Sequence, residues 1–455
     1  MRRLATFRTT LAQGGLGCAA VTWLVAAGLN VPRAAGHDDH PDEAASEFTE
    51  ADQHRPTPLP DRLVLTWSGD PATTMDVTWR TSAAAGEPVV EFAAADSLRG
   101  SLASGEVAHA QRAAGTSAAF ASNLGECLIH TARMAPLAPD TLYAYRVGDG
   151  AFWSEWFQFR TASREPRPFT FVYFGDAQNA VRSMWSRVVR ESNQYAPRAA
   201  FMLHAGDLIN HGNSDGEWGE WFGAGSWLNG MIPCVATPGN HEYSGELSGH
   251  WRPQFSFPLN GPPGLEETVY WFDYQGARII SLNSNEQIDQ QVAWLRGVLT
   301  DPQRPKWTIA TFHHPIFSAA KSRDNPALRK AWRPLLEEHG VDLVLQGHDH
   351  AYNRSGLGGP SNVNVAEGER QTGSNTVYVV SVSGPKMYPL QEEWDVSRVA
   401  SGVQLFQVIR VAPERVQYEA RLATGELYDA FTLEKEGGGR TVLTEQVPPT
   451  PAIRE

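Results

Sequence analysis

The chain has 455 residues, of which 42% are hydrophobic and 20% are charged, and it contains 15 Trp and 19 Phe. This composition supports a large hydrophobic core and predicts two or three domains. The formal net charge of −13 argues against nonspecific binding to nucleic acid, because contacts with phosphates need a basic face. No nucleic-acid partner is therefore expected.

The first 35 residues have the features of an export signal. Arg2, Arg3 and Arg8 form a basic start, residues 16–31 are apolar, and small residues at 34–35 offer a cleavage site. A membrane anchor is the alternative, but the uninterrupted apolar stretch is short and contains glycine. The pattern predicts a signal peptide over residues 1–35, no stable membrane anchor, and a secreted or periplasmic protein. Residues 36–60 are acidic and contain proline, which predicts a linker.

Residues 61–163 predict an all-β domain. Segments such as residues 75–80 and 142–147 alternate apolar and polar side chains between turn signals, which is typical of a small antiparallel sandwich. This segment contains no cluster of catalytic residue types. Cys127 lies in this segment and Cys234 in the next, so two buried thiols are favoured over a disulfide.

Residues 168–435 predict an α/β domain in which strands alternate with helices over about 170–350. Apolar residues at helical spacing, such as Leu328, Trp332 and Leu335, indicate the helices. Strand patterns return at residues 376–382 and 402–420. Residues 436–455 contain glycine and proline and are predicted to form a flexible tail.

Six short apolar runs are each followed at once by polar residues. They cover residues 169–174, 201–203, 232–235, 279–282, 307–312 and 341–345. Such runs are typical of strands buried on both faces, and ligand groups gather beyond the carboxyl ends of these strands. Residues far apart in sequence are therefore expected to meet in one crevice. Two Asp, one Asn and three or four His there indicate a pair of transition-metal ions such as Fe, Zn or Mn.

Five ordered motifs carry these polar groups. They are Gly175-Asp176-Ala177-Gln178, Gly206-Asp207-Leu208-Ile209-Asn210, Gly239-Asn240-His241-Glu242, His313-His314-Pro315 and Gly347-His348-Asp349-His350. One Gly-Asp pair is a weak signal, but five such clusters in order, each after a buried strand, are very specific. The set resembles the calcineurin-like metallophosphoesterases, and especially the purple acid phosphatase group. The resemblance covers about residues 61–435, since the upstream sandwich is similar to the fibronectin-III-like domain of plant and bacterial members.

The resemblance implies both a fold and a ligand set. The implied fold is α/β, a four-layer metallophosphoesterase β-sandwich flanked by helices and preceded by an all-β fibronectin-III-like domain. Two transition-metal ions would share one bridging carboxylate, with Asp176, Asp207 and His350 for the first ion, and Asp207, Asn240, His313 and His348 for the second. His241 corresponds to the family's substrate-contacting histidine. It would be catalytic, stabilising charge on the phosphate or protonating the leaving oxygen.

Three further residues are candidates for contact with the substrate or with the ligands. The family has a tyrosine, whose phenolate binds Fe(III), where this chain has Asn210. Neither the visible tyrosinate-to-iron band nor a firm preference for Fe(III) is therefore expected. His314 would contact the substrate, orient a ligand, or simply pack. Arg354 could hold a phosphate with its guanidinium, but a structural role is equally compatible with its position.

The leading hypothesis is an exported dinuclear-metal phosphatase that hydrolyses phosphate monoesters. Its small phosphorylated substrate would be attacked by a metal-bound hydroxide. A phosphodiesterase or nucleotide hydrolase of the same fold is the first alternative, because the ligands would be the same. The loops around the centre would decide between these two activities. They contain Trp218, Trp221, Trp227 and Trp251, which either stack on a leaving group or pack within the loops. A non-catalytic adhesion protein using the sandwich domain is the alternative of another class, and the complete ligand set argues against it.

Overall fold

The computed structural model describes residues 48–451 apart from 84, 99–109, 358–369, 373–374, 392–397 and 438, and of residues 370–372 it describes the backbone. The predicted signal peptide and residues 36–47 of the predicted linker lie outside the described residues. The rest of the predicted linker contains a short helix, α1 (Glu50–Gln53), capped by Thr49. The Thr49 hydroxyl accepts a hydrogen bond from the Asp52 amide, which satisfies one free amide of the first turn.

Two antiparallel four-stranded sheets form the N-terminal sandwich. In chain order the strands are β1 (Asp61–Thr66), β2 (Met75–Thr81), β3 (Val89–Ala94), β4 (Gln111–Ala114), β5 (Thr116–Ser122), β6 (Gly125–Met134), β7 (Leu142–Gly148) and β8 (Phe157–Arg160). The sheet orders are β1-β2-β6-β5 and β4-β3-β7-β8. The sequence pattern does not predict β4 and β5, because their side chains are mostly exposed and lack a buried apolar face.

Two larger sheets form the second domain. Its strands are β9 (Phe169–Phe174), β10 (Met202–His204), β11 (Cys234–Ala236), β12 (Tyr243–Ser244), β13 (Glu246–Leu247), β14 (Tyr270–Tyr274), β15 (Ala277–Ser281), β16 (Trp307–Thr311), β17 (Leu343–Gln346), β18 (Tyr352–Arg354), β19 (Arg370–Thr372), β20 (Val377–Val380), β21 (Arg398–Ala400), β22 (Leu405–Val411), β23 (Arg415–Leu422), β24 (Leu427–Lys435) and β25 (Thr441–Glu445). One sheet has the order β11-β10-β9-β22-β23-β24-β25-β19 and the other β14-β15-β16-β17-β20-β18-β21, while β12 and β13 pair separately.

Helices flank these sheets, in agreement with the predicted mixed α/β arrangement. They are α2 (Ser186–Tyr195), α3 (Asp215–Gly225), α4 (Trp251–Gln254), α5 (Ile288–Leu299) and α6 (Pro326–Glu338). Helix α2 packs on β22, whereas α5 and α6 pack together and share an apolar core with the seven-stranded sheet. The sequence pattern does not predict α3, because its glycines are poor helix formers. Ser214 caps this helix, and its aromatic side chains are buried.

The last part of the chain differs from its prediction. Residues 436–455 were expected to be a flexible tail, but β25 pairs with β24 and β19 at the end of the eight-stranded sheet. Glu445, in this strand, is buried and accepts a hydrogen bond from Arg354 Nη2 over 2.8 Å. The flexible-tail prediction was therefore wrong for residues 441–445. The glycines and prolines lie on either side of a short run, Thr441–Glu445, whose side chains are mostly buried.

A buried ion-pair cluster joins the sandwich to the second domain. Asp215, at the start of α3, accepts hydrogen bonds from Arg62 Nη1 over 2.6 Å and from Arg80 Nη1 over 3.3 Å. Arg62 and Arg80 belong to β1 and β2, and all three side chains are less than 10% exposed. The two domains are thus joined by an ion pair whose arginines come from the sandwich and whose aspartate comes from the second domain.

The prediction about the two cysteines, which lie outside the metal centre, can be compared with the structure. Cys127 and Cys234 are both free and buried, as predicted. Among the described helices, none combines the length and the apolar character needed to cross a bilayer.

Candidate metal centre

The six predicted ligands follow the carboxyl ends of five strands in two sheets. β9, β10 and β11 are parallel neighbours in one sheet and lead to Asp176, Asp207 and Asn240. β16 and β17 are parallel neighbours in the other sheet and lead to the histidines at 313, 348 and 350. The expected crevice therefore lies where the carboxyl ends of two packed sheets meet.

Two of these residues have unusual backbone conformations. Asp207 and His348 have φ values of 50° and 75°, in the left-handed region that most side chains avoid. The glycines before them allow close packing, since a Cβ on Gly347 would lie 2.2 Å from Asp176 Oδ1. A Cβ on Gly206 would lie 2.7 Å from His313 Nδ1. Strained conformations of this kind are concentrated at functional sites.

The first group of candidate ligands is Asp176, Asp207 and His350. All three are buried, and the potential ligand atoms lie within 4.8 Å of one another. His350 Nε2 lies 3.2 Å from Asp176 Oδ2. The amide of Gln178 lies between the members, donating from Nε2 to Asp207 Oδ2 over 3.0 Å.

The second group contains Asp207, His313 and His348, and Asn240 lies beside it. His313 Nε2 is its centre, at 3.2 Å from Asp207 Oδ2, 3.1 Å from Asn240 Oδ1 and 3.1 Å from His348 Nδ1. Asp207 is a member of both groups. One carboxylate is therefore common to two sets of nitrogen and oxygen atoms.

The arrangement fits a cation because hydrogen-bond acceptors face each other. His350 Nδ1 donates to Lys386 O over 2.9 Å, so in the neutral ring Nε2 has a lone pair. This nitrogen lies 2.9 Å from Gln178 Nε2 and 3.2 Å from Asp176 Oδ2, a buried oxygen without a hydrogen-bond donor among the described residues. Two unprotonated acceptors at this distance repel each other unless a positive charge lies between them. Carboxylate, amide and imidazole together suit divalent transition metals.

The electrostatics of His313 agree with this interpretation. Burial would lower the pKa of its imidazole, but the carboxylates of Asp207 and Asp176 outweigh burial and raise the pKa to about 9. His313 Nδ1 donates to Ala205 O over 2.9 Å, which directs Nε2 into the ligand group. The site thus attracts positive charge at the place where a metal ion would lie.

A buried glutamate that the sequence analysis did not single out supports the centre. Glu242 accepts hydrogen bonds from the amides of Asp207, Leu208 and Gly239, over 2.9, 2.8 and 2.6 Å. Burial, together with the nearby Asp207 charge, raises the pKa of Glu242 to about 8. Its carboxylate holds the two ligand-bearing loops together. The Gly-Asn-His-Glu motif already contained this signal, because a carboxylate three residues after a glycine can cap the same turn.

His241 lies at the edge of the centre, where a substrate could reach it. Its amide donates to Asp207 Oδ1 over 2.8 Å, and its side chain is 27% exposed. Nδ1 donates to Asn210 O over 2.6 Å, which fixes the ring and leaves Nε2 free, 3.9 Å from Asp207 Oδ2. The structure thus places the predicted catalytic histidine with one nitrogen anchored and the other facing the ligands.

The structure places Asn210 beside the centre with its side-chain amide turned to other residues. Asn210 Oδ1 accepts from Asn179 over 3.0 Å, and Asn210 Nδ2 lies 3.0 Å from His211 Nδ1. Its backbone carbonyl, rather than its side chain, orients His241. Asn210 therefore lies next to the candidate ligands, and its side chain makes its hydrogen bonds with other residues.

His314 and Arg354 have different surroundings. The His314 ring centre lies 4.3 Å from that of His348, and His314 Nδ1 lies 2.8 Å from Ser284 Oγ. Burial, with the neighbouring His313, lowers the pKa of His314 to about 3, so the ring is neutral. Arg354 is fully buried and pairs with Asp429 and Glu445 over 2.7 and 2.8 Å. These contacts favour the structural alternative for Arg354, since a buried and doubly paired guanidinium has no access to a substrate.

Comparison with known proteins supports a family assignment for both domains. Residues 60–161 match the family described as the purple acid phosphatase N-terminal domain, and residues 169–352 match the calcineurin-like phosphoesterase family. Purple acid phosphatase 18 of Arabidopsis thaliana is 25% identical over 367 residues, which are 75% of this chain and 77% of that protein. Acid phosphatase type 7 of Danio rerio is 29% identical over 261 residues, which are 50% of this chain and 57% of that protein.

Solved structures with a similar fold agree. Purple acid phosphatase PPD1 from yellow lupin seeds superposes with a TM-score of 0.69 at 19% identity, covering 84% of this chain and 75% of that one. The structure of PhoD superposes with a TM-score of 0.60 at 11% identity, covering 88% of this chain and 94% of that one. At these identities the likeness establishes the fold, while the family matches establish the class of chemistry. The chain therefore belongs to the calcineurin-like metallophosphoesterases, as a purple acid phosphatase-like, metal-dependent phosphoesterase.

Proposed function

We propose that this chain is an exported phosphatase with a dinuclear metal centre that hydrolyses phosphate monoesters. The observation that carries the proposal is the carboxylate of Asp207, which belongs to both groups of candidate ligands. A carboxylate shared in this way is the usual bridge between two ions in two-metal phosphatases. Fe, Zn and Mn all suit a donor set of this composition.

In this proposal six residues hold the metal ions and His241 contacts the substrate. Asp176, Asp207 and His350 would hold one ion, and Asp207, Asn240, His313 and His348 would hold the other. When bound, such ions supply Lewis acidity, neutralising the charge of a phosphate and lowering the pKa of water. The free Nε2 of His241 would donate a hydrogen bond to the phosphate or a proton to the leaving oxygen.

The aromatic side chains near the centre support a small substrate rather than a stacked base. Trp218, Trp221 and Trp251 are fully buried, so they pack their loops and cannot stack on a leaving group. Trp227 is 51% exposed, but it lines a separate hollow beside α3 with residues of β1. The monoester proposal does not require an aromatic side chain that stacks on the substrate.

Export is part of the proposal and is supported by the sequence of residues 1–35. The basic start, the apolar segment and the small residues after it match a cleaved signal. Fusing these residues to a reporter and following its secretion, with Arg2 and Arg3 both changed to Gln as a control, tests this part separately.

Metal analysis combined with an ester assay tests the activity. Purified protein should contain about two transition-metal ions per chain and hydrolyse a monoaryl phosphate faster than a bis-aryl phosphate. Faster hydrolysis of the bis-aryl ester would indicate the phosphodiesterase alternative. Metal-loaded protein that hydrolyses neither ester would indicate the non-catalytic alternative.

A further inference from the structure

Arg323 lies at the rim of the metal centre, in the segment between β16 and α6. Its Nε donates to Asp349 Oδ1 over 2.9 Å, and Asp349 is fully buried. The guanidinium carbon lies 4.9 Å from the ring centre of Tyr388, and this ring is 4.7 Å from the ring of His350. The arginine is thus fixed on two sides beside the candidate ligands while its side chain remains 28% exposed.

The remaining contact of Arg323 depends on whether a cation is bound. Arg323 Nη2 touches His348 Nε2, while His348 Nδ1 faces the ligand group, 3.1 Å from His313 Nε2. A neutral imidazole that gives its Nδ1 lone pair to a cation carries its proton on Nε2, and a guanidinium has only donors. Two donors cannot share a hydrogen bond. With a cation on His348 Nδ1, the Nη2 group of Arg323 therefore needs a different acceptor.

We propose that Arg323 Nη2 binds a terminal oxygen of the substrate phosphate and makes the enzyme favour monoesters over diesters, an inference that rests on the proposed phosphatase function. Asp349 and Tyr388 hold the guanidinium in place, so little side-chain freedom is lost when the phosphate binds. A planar guanidinium matches the geometry of phosphate oxygens. Arg323 is absent from the ligand motifs and becomes visible only through its position.

The preference for monoesters follows from charge. A phosphate monoester carries about −1.5 to −2 at neutral pH, because its second pKa is about 6. A diester has one ionisable group and carries a single negative charge. The attraction to a fixed cation is proportional to the charge of the ester, so Arg323 stabilises the monoester more. Lys386 Nζ, 5.4 Å from the ring centre of Tyr388, adds a second positive charge at this rim.

Arg323→Gln tests the proposal, with Lys321→Gln as the matched control. The control removes the same charge from an exposed residue two positions away in the same segment. In Arg323→Gln, kcat/KM for a monoaryl phosphate should fall by about 10- to 100-fold, the effect of losing a charge-assisted hydrogen bond. For a bis-aryl phosphate it should fall by only about 3- to 10-fold, because the single charge of a diester is attracted about half as strongly as the double charge of a monoester. Arg323→Lys should give an intermediate loss, since it keeps the charge without the planar fork.

A binding measurement gives a second readout that does not depend on turnover. Calorimetric titration of the metal-loaded protein with inorganic phosphate should give a Kd about tenfold weaker in Arg323→Gln and unchanged in Lys321→Gln. Metal content should be the same in all variants, and melting temperatures identify any variant that is not folded. Equal losses on both esters, no loss on either, or lost metal in Arg323→Gln would overturn the proposal.

Failure of the proposed function would give a different pattern. Wild-type protein would then hydrolyse neither ester although it contains metal. In that case the phosphate titration alone would test whether Arg323 binds a phosphate. Weaker binding in Arg323→Gln than in Lys321→Gln would still support the anion-binding role, and equal binding in the two variants would overturn it.

Discussion

At the scale of single residues, His241 is proposed to act on the substrate without binding metal. Its Nδ1 is anchored on Asn210 O and its Nε2 is free, so no ligand atom is lost when the ring is removed. His241→Ala should therefore leave metal content unchanged and lower kcat by about a hundredfold or more, as expected for a positioned acid or hydrogen-bond donor. Metal analysis and the monoaryl phosphate assay measure the two effects.

A neighbouring histidine provides the control for His241. His211 has a 71% exposed side chain and pairs with Glu217. His211→Ala should behave like the wild type in both measurements. Loss of metal in His241→Ala would show that this histidine is a ligand or a structural support.

Asp207 is the residue on which both groups of ligands depend. Asp207→Ala removes the shared carboxylate, so bound metal should decrease at both positions and activity should fall by several orders of magnitude. Metal analysis and steady-state kinetics test this, with Asp289→Ala, at an exposed aspartate near the start of α5, as the control. A variant that keeps nearly normal turnover would rule out the bridging role.

At the scale of elements, the buried contact between α3 and the strands β1 and β2 determines how the two domains stay joined. Asp215→Ala would leave the guanidinium of Arg62 buried without its partner. We expect the free energy of unfolding to fall by about 3–5 kcal/mol, the usual cost of breaking a buried ion pair from one side. Chemical denaturation measures this. Glu436→Ala, which breaks the exposed pair with Arg440, should change it by less than about 1 kcal/mol.

The same carboxylate gives stability a dependence on acid pH. Burial alone would raise the pKa of Asp215, but the nearby His250 ring, a hydrogen bond from Arg62 and the charges of Arg62 and Arg80 hold it well below its ordinary value of 3.8. As the pH falls below about 4, the unfolded chain takes up a proton here that the folded chain does not, so stability decreases with falling pH. Asp215→Ala should lose this part of the acid dependence. An unchanged acid profile would show that other carboxylates cause it.

At the scale of the whole molecule, metal binding should stabilise the fold that brings the ligands together. The two ligand groups contain buried carboxylates and imidazoles from both sheets, and an ion that binds only the folded chain stabilises it. Removing metal with a chelator should lower the melting temperature by several degrees, and adding Zn²⁺ or Mn²⁺ should restore it. Asp207→Ala should melt at the same temperature with and without chelator. A wild-type melting temperature that stays the same when the chelator is added would contradict the metal-centre interpretation.

The sequence by itself determined most of the fold and the composition of the centre. Parallel strands buried on both faces require continuous apolar runs, and the polar residues after them can only lie at the strand ends, so Asp176, Asp207 and Asn240 were identifiable in advance. The elements it missed have weak patterns: β4 and β5 are largely exposed, and α3 contains several glycines. In these elements the long-range packing, rather than local preference, decides the structure.

Only the tertiary structure decided which polar residues face the centre. The sequence analysis made Arg354 a candidate for phosphate binding, yet Arg354 is buried against Asp429 and Glu445. Arg323, which belongs to none of the motifs, lies between Asp349 and His348. The partners of Arg354 are up to 91 residues away from it in the chain, so no local pattern can reveal them. A side chain's chemistry can be read from sequence, whereas its partners depend on contacts that exist only after the two sheets have packed.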